Sequence, residues 1–249
     1  MPVKYRKEIF FCGLLTALIA MQTHAFSLNS IQKVTDAINS DMQSLSLDEF
    51  KDDLHFPAKL SEFKSLEILN ANGNQISDIS MLSDLKNLRY LSLIYTEVKD
   101  ISPLAQLVAL ERLSLKGTKV TNIDPLSDLT NLLTLSLYAN KVTDISSLAK
   151  LTQLQNLNLG YTLAQDISVL KHLKNLRRLN MLWMPIKDFS VLKELTSLEH
   201  LDVSYTKFDD FELLLSMKNL KSLTIEMGKV GQAKVLYKMV ARGLKINYR

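Results

Sequence analysis

His200, Asp202 and Ser204 alternate along one short stretch of a 249-residue chain, and they are the residue types of a hydrolase triad: a nucleophilic hydroxyl, a base and an orienting carboxylate. Alternate residues on an extended strand stand about 7 Å apart, too far for direct hydrogen bonds, and no neighbouring segment offers an oxyanion hole. Beyond residue 25 the histidines are His55, His172 and His200, with no glycine-rich phosphate loop and no metal-ligand cluster. These observations argue against an enzyme and against a bound cofactor or metal.

The residues better suited to recognition are aromatic. Tyr161, Trp183 and Tyr205 are spaced 22 residues apart, and Tyr95, Tyr138, Ile94 and Leu182 fall in the same or the adjoining phase. Aromatic rings bury much area for little lost entropy and are over-represented among the residues that dominate interfaces. A stacked ladder that stabilises only itself is the competing expectation. The segment Asn180-Met181-Leu182-Trp183-Met184-Pro185 favours recognition, because it places Leu182 and Trp183 at positions expected to be exposed. Arg178, His200 and Asp202 are expected to flank the strip with charge. Lys99, Lys119, Lys141, Lys187, Lys207 and Lys229 form a further line, either a solvated face or an attraction for an acidic polymer.

What positions these groups is a repeat. Leu66, Leu88, Leu110, Leu132, Leu154, Leu176, Leu198 and Leu220 follow one another at 22 residues without insertion or deletion. Taking this leucine as position zero, apolar residues recur at positions three and five, as in Leu91 and Leu93 or Leu113 and Leu115. That alternation predicts a short strand with one buried face. Apolar residues at thirteen, sixteen and nineteen, such as Ile101, Leu104 and Leu107, predict a tight helical turn. A unit of this kind cannot bury both its apolar faces alone, so the coils must stack, with their strands aligned as a parallel sheet. Position four (Asn70, Ser92, Ser114, Ser136, Asn158, Asn180, Asp202, Thr224) is then a polar concave floor. Position eight (Asn74, Thr96, Thr118, Asn140, Thr162, Met184, Thr206, Gly228) holds mostly side chains able to bond turn backbone. Asp78, Asp100, Asp144, Asp166, Asp188 and Asp210 at position twelve are placed to cap the helical turns; with no histidine in the column they do not read as a metal site.

The run Leu132-x-x-Leu135-x-Leu137-x-x-Asn140-x-Val142-x-Asp144-Ile145-x-x-Leu148-x-x-Leu151 resembles the leucine-rich repeat. Its 22-residue form, with Ile101-Ser102-Pro103-Leu104, is similar to that of the bacterial internalins. The resemblance implies an α/β leucine-rich-repeat solenoid: a curved right-handed coil with a parallel β-sheet on the concave face, short 3-10 or helical turns on the convex face and a helical N-terminal cap. It also implies exported bacterial proteins that bind host surface proteins through the concave face.

The ends differ from the repeats. Met1 to Ser27 has a basic start (Lys4, Arg6, Lys7), an apolar stretch of about 13 residues and a polar tail with Thr23 and Ala25. This reads as a signal peptide over residues 1–25, too short to span a bilayer. Its removal would take away Cys12, the one cysteine, and leave a net charge of about +2, so the fold must rest on packing without disulfides. Residues 26–63 are expected to form the N-terminal cap and a degenerate first coil, with an amphipathic helix from about Ser30 to Met42 (Ile31, Val34, Ile38, Met42) and then Leu47, Leu54, Leu60 and Phe63. Residues 64–230 are the eight repeats and 231–249 the C-terminal cap, with a helix over Gln232 to Ala241 and a last strand around Leu244 and Ile246.

The sequence thus predicts an exported, periplasmic or secreted, monomeric binding module without enzymatic activity. A protein partner would contact Tyr95, Tyr138, Tyr161, Arg178, Leu182, Trp183, His200, Asp202 and Tyr205. The alternatives are a glycan or envelope polymer held by the rings and the lysine line, and a structural scaffold in a periplasmic assembly. Neither nucleic acid nor a membrane span after signal cleavage is expected.

Overall fold

The computed structural model describes residues 28–39, 43–48, 56, 58–228 and 234–249. The expected signal peptide lies outside these residues, as do Met42, Leu54, Lys229 and Gln232, and so do the side chains of Ile31, Val34 and Ile38.

Ten strands form one parallel sheet in which spatial order equals chain order. Helix α1 (Leu28–Asn39) precedes β1 (Ser44–Ser46) and β2 (Ile68–Asn70). Six three-residue strands follow: β3 (Tyr90–Ser92), β4 (Arg112–Ser114), β5 (Thr134–Ser136), β6 (Asn156–Asn158), β7 (Arg178–Asn180) and β8 (His200–Asp202). After β9 (Ser222–Ile225) come helix α2 (Lys234–Ala241) and β10 (Lys245–Tyr248). From β2 to β9 the paired residues differ by 22, as Ile68 opposite Tyr90 and Tyr90 opposite Arg112, so the sequence repeat and the sheet register are one quantity. The joins at the ends are longer: Ser44 faces Ile68 and Ser222 faces Lys245. The apolar positions between successive strands wind as 3-10 helices, among them Ser80–Asp84, Ser102–Gln106, Ser146–Lys150 and Ser190–Glu194. Three-residue periodicity on a 3-10 helix puts every such side chain on one face, and Ile101, Leu104 and Leu107 are buried against Leu110, Leu113 and Leu115. One continuous apolar core runs through all the coils. At the C-terminal end Val235, Leu236 and Met239 of α2 close it.

Backbone bonds join coil to coil beyond the strands. The amide of position five reaches the carbonyl of position four in the next coil, as Leu93 to Ser114 and Leu137 to Asn158. The amide of position seven reaches the next position six, as Tyr95 to Lys116 and Tyr161 to Leu182. Column-eight side chains then close the turn in several coils: the hydroxyls of Thr96, Thr162 and Thr206 donate to the carbonyls of Leu93, Leu159 and Val203. Asn140 does more, donating to Leu115 and Leu137 at 2.7 and 3.0 Å while its Oδ1 lies 2.8 Å from the Thr118 hydroxyl. Met184, buried in the same column, fills the space without bonding.

A second asparagine column, unread in the sequence, ties neighbouring coils together at every second junction. Asn87, Asn131, Asn175 and Asn219 each donate Nδ2–H to a carbonyl of the preceding coil (Lys64, Val108, Thr152, Thr196) at 2.8–2.9 Å. The aspartates do cap the 3-10 turns: Asp210 is itself the N-cap, its Oδ1 accepting the Leu213 amide at 3.3 Å, and the others act from one residue earlier. Oδ1 of Asp78, Asp100, Asp144, Asp166 and Asp188 accepts the amide two residues on, at 2.8 Å, an Asx-turn. Asn122 fills the same role for Asp124.

Asn140→Ala would leave the buried Leu137 carbonyl without its donor and remove one of the donors to Leu115, and is expected to cost about 2 kcal/mol in urea unfolding. The amides and hydroxyls of Ser102, Ser146, Ser168 and Ser190 hold the carboxyls of Asp100, Asp144, Asp166 and Asp188 below their ordinary range. A carboxylate lowered in the folded state adds stability that is complete above its unfolded value, about pH 4, and is lost as pH falls through the folded value. Replacing these four aspartates by asparagine, which keeps the acceptor, should therefore flatten the loss of urea stability between neutral and acid pH; an unchanged slope would show that the caps do not set it.

Candidate binding site

The strand exit is where the aromatic residues gather, and its backbone explains how. The amide of position eight donates back to the carbonyl of position five, as Thr118 to Leu115, Thr162 to Leu159 and Met184 to Met181. Position seven has positive φ: Gly73 68°, Tyr95 56°, Gly117 67°, Ala139 57°, Tyr161 57°, Trp183 56° and Tyr205 53°. An i to i+3 bond with only the third residue left-handed is the signature of a type II turn, whose third residue is ordinarily glycine or asparagine. Here four of the seven are aromatic. The left-handed region is reached at a cost of about 1–2 kcal/mol by a residue with a Cβ, and it turns the side chain outward: Tyr95, Tyr161, Trp183 and Tyr205 are all exposed, Trp183 by 52%.

Stacking of the coils brings the rings into line. Trp183 and Tyr205 stack with centroids 5.1 Å apart and planes 17° apart, and Tyr161 and Trp183 stack at 6.2 Å and 18°. Tyr138, from position six, meets Tyr161 edge-on at 5.3 Å. Tyr95 joins through Lys116, whose Nζ lies 5.1 Å from the Tyr95 ring and 5.2 Å from the Tyr138 ring. Two glycines make the room. A Cβ at Gly117 would overlap Cδ1 and Cε1 of Tyr95, and one at Gly160 would stand 3.0 Å from Cδ2 of Tyr138. Met227, the position-seven residue of the last repeat, is also exposed, but there the left-handed residue is Gly228. Neither Lys116, Gly117, Gly160 nor Met227 was singled out in the sequence, although the 22-residue phase places all of them.

Leu182 is a correction. It was expected to be exposed beside Trp183, but it is 2% exposed. At position six its column neighbours Gly160 and Ser204 are also buried, while Ile94, Lys116 and Tyr138 of earlier coils are half-buried, so position seven is the more exposed of the two. Column four does line the concave trough, where Ser136, Asn158, Asn180, Asp202 and Thr224 lie. Column four is buried or half-buried, and its oxygens serve the turns: Asn158, Asn180 and Asp202 accept the amides of Gly160, Leu182 and Ser204 at 2.8–3.1 Å.

Arg178 and His200 face each other across β7 and β8. With Asp202 they line an open trough of about 370 Å³ on the sheet beside the strip. Asp202 is fully engaged: Ser204 donates its amide and its hydroxyl (2.5 Å), and Arg249 pairs with the other oxygen at 3.2 Å. The Ser204–Asp202 contact corrects the expectation that alternate residues stay apart, because β8 ends at Asp202 and the chain has already turned at Ser204. Of the line of lysines, Lys119 is paired with Glu97 at 3.6 Å. Among the described residues no group of histidine, cysteine and acidic side chains is arranged to hold a metal ion.

A leucine-rich repeat region model matches residues 42–229. The chain belongs to the leucine-rich repeat family. Its solenoid is internalin-like: internalin C2 of Listeria monocytogenes, in a crystal structure, aligns with a TM-score of 0.72 at 26% identity over 82% of this chain and 96% of that one. Internalin F of the same organism shares the fold at 21% identity, with a TM-score of 0.51 over 91% and 89%. None of the curated proteins matches the chain. Leucine-rich repeat solenoids of this internalin-like kind are in general protein-interaction modules without enzymatic activity. No described helix is long and apolar enough to cross a membrane.

Gly117→Ala should destabilise by more than about 1 kcal/mol, since it adds the left-handed penalty and an overlap with Tyr95. Combined with Tyr95→Ala the loss should be smaller than the sum of the two. Additive losses in urea unfolding would show that the ring does not depend on the glycine.

Proposed function

We propose that this protein is an exported, non-enzymatic recognition module, periplasmic or secreted and monomeric, that binds a protein partner through the concave side of its solenoid. The strip Tyr95, Tyr138, Tyr161, Trp183 and Tyr205 is its principal contact, and Arg178 and His200 are secondary contacts from the floor. The observation that carries this reading is the set of exposed aromatic residues held in left-handed backbone. Each ring contact returns about 0.5–1.5 kcal/mol, and three contacts join Tyr138, Tyr161, Trp183 and Tyr205. That return is of the same order as the left-handed penalty of about 1–2 kcal/mol per residue at Tyr161, Trp183 and Tyr205, and glycine, used at Gly73 and Gly117, avoids the penalty altogether. The rings therefore add little net stability, and costly local geometry at an exposed site favours a binding role over a purely structural ladder.

The test is capture from cell-envelope and host-cell extracts by the wild-type protein and by a Trp183→Ala, Tyr205→Ala variant of verified fold. A protein held by the wild type should be lost by the variant, with Trp183→Ala alone weakening affinity by about 2 kcal/mol, roughly thirtyfold. Equal capture by both would remove the strip from the binding surface. Tyr161→Gly separates the two roles: its urea stability should stay within about 1 kcal/mol of wild type, because lost stacking and relieved strain offset each other, while binding falls.

A further inference from the structure

The strip has a chemical border. Two residues beyond the left-handed position, column nine reads Glu97, Lys119, Lys141, Leu163, Pro185 and Lys207 through the same six coils. Leu163 is 49% exposed and Pro185 is exposed. Beside Tyr161 and Trp183 the apolar surface is therefore two columns wide, an island formed by Tyr161, Leu163, Trp183, Pro185 and Tyr205. Successive coils in one column lie about 4.8 Å apart, so Lys141 stands immediately before the island and Lys207 immediately after it. Both are exposed, and neither has a carboxylate within ion-pair distance among the described residues. Lys187, also exposed, lies on the outer side, and Lys116 sits on the inner side over two rings.

Of the acidic groups around this island, Asp209 is exposed two residues beyond Lys207, and the others are held by their own turns or by neighbouring side chains. Asp144, Asp166 and Asp188 are turned into their own 3-10 turns by Ser146, Ser168 and Ser190, and Asp202 is held by Ser204 and Arg249. Short carboxylates tied to backbone stay close to their own turns, while lysines on long stems extend over neighbouring surface. An approaching partner therefore meets an apolar patch ringed by mobile cations whose charge is not already answered.

We propose that the partner is an acidic protein surface: one or two apolar side chains seated on Tyr161, Leu163 and Trp183, with carboxylates around them that pair with Lys141, Lys187 and Lys207. This rests on the protein-binding reading above and adds to it the partner's chemistry and the edge of the sheet it engages. Apolar anchoring sets the affinity, and the lysine border sets the encounter rate and excludes basic partners.

Trp183 is the only tryptophan of the chain, so its emission reports on the island directly. A random-sequence peptide library is selected on the purified wild-type protein and on a Lys141→Glu, Lys207→Glu variant, and enriched peptides are titrated against Trp183 fluorescence, with heparin as a polyanionic glycan control. The expected result is enrichment on wild type of peptides that pair an aromatic or aliphatic residue with several Asp or Glu. Those peptides should shift Trp183 emission, weaken steeply with salt and bind the charge-reversed variant about tenfold or more less tightly. Peptides that lose binding in Trp183→Ala but show no acidic excess and no effect of the lysine substitutions would overturn the acidic partner while leaving the protein-binding reading intact. Peptides indifferent to Trp183→Ala would overturn both. A shift produced by heparin with no peptide enriched would overturn both in favour of a glycan, and no enrichment with no heparin shift overturns the proposal outright.

Discussion

Every coil of this solenoid borrows its hydrogen-bond partners from the next. The amide of Leu93 is answered by Ser114, that of Gly117 by Tyr138, that of Trp183 by Ser204, and no coil can satisfy these groups or cover its leucines alone. A residue added to or taken from a repeat would shift every column against its neighbour, leaving buried amides unpaired and leucines opposite polar side chains. The unbroken 22-residue spacing from Leu66 to Leu220 follows from that requirement. It also turns any residue type that recurs in phase into a continuous line on the molecule's surface.

The strand exit is where that regularity is put to use. A type II turn is needed there because the chain must leave the sheet within a few residues, and the turn requires one left-handed residue per coil. Glycine meets the requirement without strain at Gly73 and Gly117, whereas Tyr95, Tyr161, Trp183 and Tyr205 meet it against their own backbone preference. The same turn that strains the backbone aims the rings outward, and coil spacing near that of stacked rings aligns them. Exposure and order are thus consequences of one backbone constraint.

Charge is distributed so that most of it is answered internally. Arg89 lies between Glu67 and Glu111 on one flank, and Glu199 between Arg177 and Lys221. Exposed pairs of this kind contribute little to stability, but they leave those flanks electrostatically quiet. The oxygens of the floor are quiet as well, being occupied by turn amides. Among the described residues, the cations without a carboxylate partner on the sheet side include Arg112 and Arg178 on the floor and Lys141 and Lys207 along the aromatic edge.

The fold was legible in the sequence because leucine phase is a one-dimensional signal: the coil, the parallel sheet, the 3-10 turns and the ladder column all follow from spacing. Tyr161, Trp183 and Tyr205 were visible as a line for the same reason. Three features needed the folded chain. Leu182 and Trp183 are adjacent and both apolar, yet one is buried and the other exposed, because the sign of φ at position seven reverses the strand alternation there. Spacing placed column four on the concave floor, but that the oxygens of Asn158 and Asn180 are taken up by the turn amides two residues on was not legible from it. Asp202 looked like a free contact until Arg249, on the far side of β9, was found against it. Spacing along the chain alone determined which residues share a column; which way each column points, and whether its polar atoms are already bonded, was decided only by the turn geometry and by the packing of one coil on the next.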